Sequence, residues 1–161
     1  MSELRSVPCE DDVELGPLSE EVLTDLAPLA ENKGIALNCA GDALVIGSDT
    51  LLYRLVFNLV ENAIRYSRSG STVNVSICDN DSHVFLRVED QGPGIPKQYR
   101  ESIFQPFFRL DKSRSRAYGG AGLGLALVWE IAALHGGTVE VEESSENGTV
   151  MLVTLSKGAT T

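Results

Sequence analysis

The chain is 161 residues long, 43% apolar, with 13 basic and 23 acidic side chains and a formal net charge of −10. That length bounds it to one domain with or without a tail, and a globule of this size buries roughly 70% of its unfolded surface, enough for a core without staples. The composition excludes a disordered polymer, no apolar run approaches the ~20 residues of a membrane span, and so acidic a surface argues against a nucleic-acid partner held by phosphate contacts.

Residues 1–12 are polar and acidic, contain Pro8, show no signal-peptide pattern and read as a linker or tail. Val13-Glu14-Leu15 reads as a short strand closed by Gly16-Pro17. Ser19 is the expected N-cap of a helix, with Glu20 and Glu21 in the first turn where the helix dipole favours acids. Val22, Leu23, Leu26, Leu29 and Ala30 then recur at helical spacing, Pro28 is expected to kink the helix or remove a bond, and Asn32-Lys33-Gly34 ends it. Ile35 to Asn38 and Leu44 to Ile46 read as short strands. Asp49 is the expected cap of a second helix running to about Ser67, with a core stripe of Leu52, Leu55, Val56, Leu59 and Ala63. Thr72 to Cys78 and Val84 to Val88 alternate as strands joined through Asp79-Asn80-Asp81-Ser82, a hairpin by composition. A Gly/Pro-rich turn follows from Asp90 to Pro96, then a weakly helical stretch from Lys97 to Phe104. Residues 109–122 read as a flexible loop, with little apolar material to offset the entropy of ordering it. Leu123 to Leu134 is a strongly apolar helix stopped by Gly136-Gly137. Thr138 to Glu142 and Thr149 to Leu155 form a last hairpin around Asn147-Gly148. Helices set between short strands and hairpins predict an α+β two-layer sandwich rather than a doubly wound sheet.

The acidity is uneven. Residues 1–31 hold nine of the 23 acids and a single base, Arg5, whereas Arg109, Lys112, Arg114 and Arg116 cluster within eight residues opposed only by Asp111. A cationic segment in an acidic protein is a candidate anion site, set against the plainer reading of a solvated loop. The three cysteines, Cys9, Cys39 and Cys78, lie far apart with no CxxC pair, so neither a zinc site nor a disulfide framework is supported, and a reducing compartment fits. With His83 and His135 the only histidines, a His-rich metal site is excluded.

On the second helix Asn58, Asn62 and Tyr66 lie four apart, and Arg65 lies seven from Asn58, so all four share one polar face, while Leu52, Val56, Leu59 and Ala63 serve the core. Amide oxygens are hard neutral ligands suited to Mg²⁺, which is held by few protein groups together with substrate phosphates, and a guanidinium can grip phosphate oxygens. An ordinary solvated helix face has the same pattern. Asp90-Gln91-Gly92-Pro93-Gly94-Ile95-Pro96 follows a strand. Gly92 and Gly94 permit a turn that backs closely onto a ligand, and a carboxylate at the strand end can accept a hydrogen bond from adenine N6, where guanine presents an acceptor instead. Gly119-Gly120-Ala121-Gly122-Leu123-Gly124-Leu125 opens the third helix and leaves backbone N–H groups to face an anion; it is neither a Walker A motif nor a dinucleotide fingerprint. Between the two glycine segments Phe104, Phe107 and Phe108, three of five phenylalanines, precede Arg109 and form either a satellite apolar cluster or an anchor for the basic loop.

Taken in order, four segments resemble the catalytic, ATP-binding domain of bacterial two-component sensor histidine kinases. Residues 58–66 resemble the N box, Asp90-Gln-Gly-Pro-Gly-Ile the G1 box, Phe104-Gln-Pro-Phe-Phe-Arg109 the F box and Gly120-Ala-Gly-Leu-Gly-Leu the G2 box, and the likeness covers roughly residues 13–155. The wider superfamily (GHKL) includes gyrase, Hsp90 and MutL ATPases and shares the Bergerat ATP-binding fold. The resemblance implies a mixed sheet of about five strands covered on one face by about three helices, in a domain spanning 13–156 with a tail at 157–161. It implies ATP and Mg²⁺ as cofactors, with Asn62 and Asn58 at the metal and Asn58 and Arg109 at the reacting phosphate. Arg65 and Tyr66 would contact phosphates or sugar, although many relatives carry Lys where this chain has Arg65. Asp90 would read adenine, with Gly92, Gly94 and Ile95 shaping the pocket, and Gly120, Gly122, Leu123 and Gly124 would surround the phosphates from the lid side.

One departure from the pattern matters. Nothing before residue 49 contains the phosphoacceptor histidine that such kinases carry on a dimerising helical hairpin. The resemblance therefore implies a protein-histidine kinase catalytic domain, monomeric by itself, that phosphorylates a histidine on a separate helical dimerisation domain and signals to a response regulator downstream. It implies a cytoplasmic domain whose parent kinase can be anchored in the inner membrane. The alternatives are a stand-alone serine protein kinase of the anti-sigma type and an ATPase of the same superfamily. Hydrolysis needs a base, and the ATPases place a Glu where this chain has Asn58. Glu61 points roughly 100° away from Asn62 around the helix.

Overall fold

A computed structural model describes residues 11–106 and 124–157. Strand β1 (Asp11–Glu14) runs straight into helix α1 (Leu15–Lys33), followed by β2 (Ala36–Gly41), β3 (Leu44–Gly47) and helix α2 (Asp49–Tyr66). Then come β4 (Thr72–Asp79), β5 (His83–Asp90), two short 3₁₀ turns (Lys97–Tyr99 and Ser102–Phe104), helix α3 (Gly124–Leu134), β6 (Thr138–Ser145) and β7 (Gly148–Ser156). Five strands form one mixed sheet in the order β2-β4-β5-β7-β6, with β2 parallel to β4 and the other pairs antiparallel. β1 and β3 pair antiparallel in a separate two-stranded sheet. This is the α+β sandwich that the element order predicts.

The core lies between the sheet and the helices. Leu52, Leu55, Val56, Leu59 and Ala63, the stripe visible in the sequence, are all buried on α2. They meet Val22 and Leu26 of α1, Val128 and Ile131 of α3, and Val73, Val75, Leu86, Val88 and Val153 of the sheet in one cluster. Each such side chain contributes about 1.5–3 kcal/mol by leaving water, which is why α2 is the central helix rather than a surface one.

Local punctuation gives way to tertiary contact at the start of α1. Gly16-Pro17 does not close a turn; it forms the first turn of the helix. Pro17 has no N–H to lose there, and the donors that a cap would serve are met from the β2–β3 loop, where Leu15 N donates to Ala43 O at 3.0 Å and Gly16 N to Asp42 Oδ1 at 2.6 Å. Ser19 is consequently interior to the helix and fully buried, not its cap. Pro28 sits inside α1 without ending it, and Gly34, at φ 75°, closes it as expected. On α2 the capping side chain is Ser48, whose Oγ accepts from Leu51 N at 3.2 Å, while Asp49 stands in the first turn. The last hairpin is longer than its alternation indicates, because β6 carries a register shift between Val141 and Glu143 that interrupts the period of two.

Candidate functional site

The sequence's polar face on α2 is present in the fold. Asn58, Asn62, Arg65 and Tyr66 are half-buried along one flank of the Leu52–Ala63 stripe. Asn58 Nδ2 donates to Arg54 O one turn back at 2.8 Å, which fixes the amide and leaves Oδ1 as an acceptor facing the start of α3. There Gly124 comes so close that a Cβ would lie 3.3 Å from Asn58 Oδ1. Arg65 pairs with Glu61 at 3.1 Å.

The C-terminal end of α2 is held from outside. Lys33 Nζ, at the end of α1, donates to Ile64 O at 3.0 Å and also to Arg65 O, occupying last-turn carbonyls that have no helical partner. Burial pushes the Lys33 ammonium below its ordinary pKa, and the Arg65 charge pushes it the same way. In the sequence Lys33 reads as part of a helix stop and nothing more, since the carbonyls it serves are on another helix.

Asp90 ends β5 and is only 8% exposed. Its Oδ1 accepts from Gly92 N at 2.9 Å and from Thr149 N at 3.2 Å. Burial pushes the carboxyl above its usual pKa; the two N–H donors oppose this and Glu89 adds to it. Both bonds fall on one oxygen, so Oδ2 is left for a donor such as an exocyclic amine. Thr149 is the residue that sequence reasoning missed. It lies opposite Asp90 in the β5–β7 ladder, a pairing between strands that are not neighbours in the chain.

Gly92 and Gly94 are required by the protein's own backbone. A Cβ on Gly92 would sit 2.3 Å from Tyr66 O, and one on Gly94, where φ is +90°, would sit 2.2 Å from Ser145 O. The close approach expected toward a ligand is thus made to α2 on one side and to β6 on the other, and it pins the turn beside the polar helix face. Ile95, next in the turn, packs part-buried against the core.

Phe104 lies 5.6 Å, ring centre to ring centre, from Trp129 of α3. The pair borders a groove of about 870 Å³ that also takes in Arg54, Asn58, Gly124 and Leu127. The expectations for Arg109, Gly120, Gly122 and Leu123, for the Phe107-Phe108 pair and for the basic loop lie outside the described residues. Among the described residues no cluster of three His, Cys, Asp or Glu side chains forms a metal site. The oriented Asn58 amide oxygen is a hard neutral donor of the kind that suits Mg²⁺. No described helix is long and apolar enough to cross a membrane.

Both histidines are engaged. His135 is 6% exposed; its Nδ1 lies 2.8 Å from Ile131 O and its Nε2 accepts from Ser48 N at 3.1 Å. A backbone carbonyl on one nitrogen and a backbone N–H on the other require the neutral Nδ1–H tautomer. His83 bonds Ser82 Oγ at 2.9 Å through Nδ1, on the β4–β5 hairpin.

Comparison with known proteins bears on the family and the fold. Residues 47–159 match the family described as histidine kinase-, DNA gyrase B- and HSP90-like ATPase. The sensor-like histidine kinase SenX3 of Mycobacterium tuberculosis is 37% identical over 151 residues, which is 92% of this chain and 37% of that protein, so the chain spans little more than a third of the relative's length. Among solved structures, the mycobacterial sensor histidine kinase MprB superposes with a TM-score of 0.79 at 29% identity, covering 94% of this chain and 99% of that one. Full-length ShkA in complex with AMPPNP superposes with a TM-score of 0.81 at 27% identity, covering 94% of this chain and 32% of that one. The chain therefore belongs to the histidine kinase-, gyrase B- and HSP90-like ATPase family, and within it to the catalytic domains of sensor histidine kinases.

Proposed function

We propose that the domain binds Mg-ATP between the polar face of α2 and the Asp90 turn, and donates the γ-phosphate to a histidine on a separate helical dimerisation and phosphotransfer domain, with a response regulator as the next acceptor. The observation that carries this is Asp90: a buried carboxylate, fixed by two backbone N–H groups through one oxygen, with the other oxygen left to choose adenine over guanine. The nucleotide-analogue complex of the similar ShkA supports the same reading.

In this assignment Asn62 and the oriented Asn58 would hold the metal together with the phosphates. Bound there, Mg²⁺ would supply positive charge to offset that of the phosphates. Arg65 and Tyr66 would meet phosphate or ribose; Gly92, Gly94 and Ile95 would border the base; Arg109, Gly120, Gly122, Leu123 and Gly124 would enclose the phosphates. Transfer forms a bond from γ-phosphorus to an imidazole nitrogen as the bond to the β–γ bridging oxygen breaks and ADP leaves. The imidazole proton passes to a base on the partner. The groove beside Asn58 offers Leu127 and Trp129 as apolar contacts for the acceptor helix.

Two features weigh against the other readings. His135 has both nitrogens committed to backbone, which removes it as an acceptor. Glu61 is paired with Arg65 and Asn58 cannot titrate, so neither supplies a free base beside Asn62 for activating water. Calorimetric titration with ATP, ADP and GTP, with and without Mg²⁺, tests the site. ATP and ADP should bind at least about tenfold more tightly than GTP, and Asp90→Ala should weaken both by about ten- to hundredfold, as loss of a charged hydrogen bond does. Chelation should lower affinity for ATP more than for adenosine. Equal affinity for ATP and GTP would falsify the assignment.

A further inference from the structure

The turn that carries Asp90 is held by groups that no sequence motif includes. Arg100, just after the first 3₁₀ turn, donates from Nε to Ile95 O at 3.1 Å and from Nη2 to Ser144 O at 3.1 Å, bridging the far end of the turn to β6. Ser144 closes the bridge from the other side. Its Oγ accepts from Ile95 N at 2.8 Å and lies 2.8 Å from Thr149 Oγ1. Thr149 N in turn donates to Asp90 Oδ1. Arg100, Ile95, Ser144, Thr149 and Asp90 thus form one continuous chain of hydrogen bonds.

Ser144 is in that chain because of the irregularity in β6. Before it, Val139 pairs with Val153 and Val141 with Met151, all packed into the core on the inner face. Strict alternation would carry Glu143 onto that face opposite Thr149, next to the Asp90 carboxylate. Instead Glu143 pairs with Val150, Ser144 with Thr149, and Glu142 is the extra residue. Glu142 is taken up on the outer face by Arg87, at 2.7 Å. One inserted residue therefore turns the Glu143 carboxylate outward, leaves Glu142 on the outer face and brings the Ser144 hydroxyl inward, which is what a bulge beside a site does when it re-aims a side chain.

We propose that the β6 bulge, Ser144 and Arg100 act together as the positioning device of the base-binding turn, fixing Ile95 and, through Thr149, Asp90. None of these residues need touch the ligand. The inference rests on the reading of Asp90 as the adenine-binding carboxylate. The device acts on every adenine ligand alike, because it lies at the base end and not at the phosphates.

The test compares adenosine, ADP and ATP affinities and backbone amide exchange in the wild type, Ser144→Ala, Ser144→Thr, Arg100→Met, Arg100→Lys and Asp90→Ala. Ser144→Ala and Arg100→Met should weaken all three ligands by a common factor of about three- to tenfold, the worth of one or two hydrogen bonds. The Mg²⁺ dependence of ATP binding should stay as in the wild type. Ser144→Thr keeps the Oγ and should restore affinity to within about twofold, and Arg100→Lys should fall between wild type and Arg100→Met. Exchange of the Ile95 amide should speed up at least about tenfold in Ser144→Ala and return to the wild-type rate in Ser144→Thr. Wild-type affinities in Ser144→Ala and Arg100→Met, alongside a weakened Asp90→Ala, would overturn the positioning role alone. A loss confined to ATP would overturn it as well. Unchanged binding in Asp90→Ala would instead remove the adenine reading and this inference with it. Should Arg100→Met fail to fold, Arg100→Lys and the two Ser144 variants decide the matter.

Discussion

Asp90 is kept at the end of β5 against the interest of the fold. Burial raises its pKa more than the Gly92 and Thr149 amides lower it. A carboxyl whose folded pKa lies above its unfolded value destabilises when ionised. The cost is absent below the unfolded value near 3.8, sets in as pH rises toward the folded pKa, and persists at neutral pH. Asp90→Asn keeps the shape without the charge. It should melt at a higher temperature than the wild type at pH 7, with the difference shrinking as pH falls toward about 4 and gone below it, while ATP affinity drops at least about tenfold. Thermal melts across that pH range, with nucleotide titration of the same variant, check both halves. A lower melting temperature at pH 7 would mean that the ionised carboxylate earns its place by structure and not by ligand. Such opposition between stability and function is expected where a charge is buried for use.

Among the elements, α2 is the one to which the rest of the site is fastened. Lys33 of α1 holds its last-turn carbonyls, Gly92 packs against the Tyr66 carbonyl at its C-terminal end, and His135 at the end of α3 accepts from Ser48 N at its N-terminal end. Gly47 belongs to the same junction, since a Cβ there would lie 2.3 Å from His135 Cδ2. The helix that follows the glycine-rich segment is thereby locked to the start of the helix that carries Asn58 and Asn62. His135→Ala should leave Ser48 N without its acceptor and open a cavity between α2 and α3, costing roughly 2–4 kcal/mol. The urea midpoint with its m-value reads this, and a change below about 0.5 kcal/mol would show that neither the packing nor the hydrogen bond of the imidazole holds the junction.

At the scale of the whole molecule the composition sets what the domain does alone. Two histidines are present, His83 on a hairpin and His135 in the core junction. Incubated with γ-labelled ATP, the chain by itself should acquire no stable label and release phosphate slowly. Label should appear only on an added helical hairpin that bears a histidine, and Asn62→Ala should abolish that transfer. Label on the chain itself would contradict the assignment of the acceptor to another domain, and label on a partner serine would move the domain to the anti-sigma class.

The α2 stripe, the Asn58–Tyr66 face, the Asp90 turn and the two hairpins are legible in the sequence, because each is written in spacing between near neighbours. Its periodicity places Leu52 to Ala63 on one side of a helix whatever that helix packs against. It could not place the start of α1, where Gly16-Pro17 reads as a break until Asp42 and Ala43 supply the missing partners from another loop. Nor could it find Thr149 beside Asp90, Lys33 beneath α2 or Ser144 beside Ile95. Those positions depend on which strands pair, in what register, and on a single inserted residue in β6. Sheet register is a long-range property: shifting it by one residue exchanges the faces of a strand without altering any local pattern, so only the folded chain decides which hydroxyl or carboxylate meets the site.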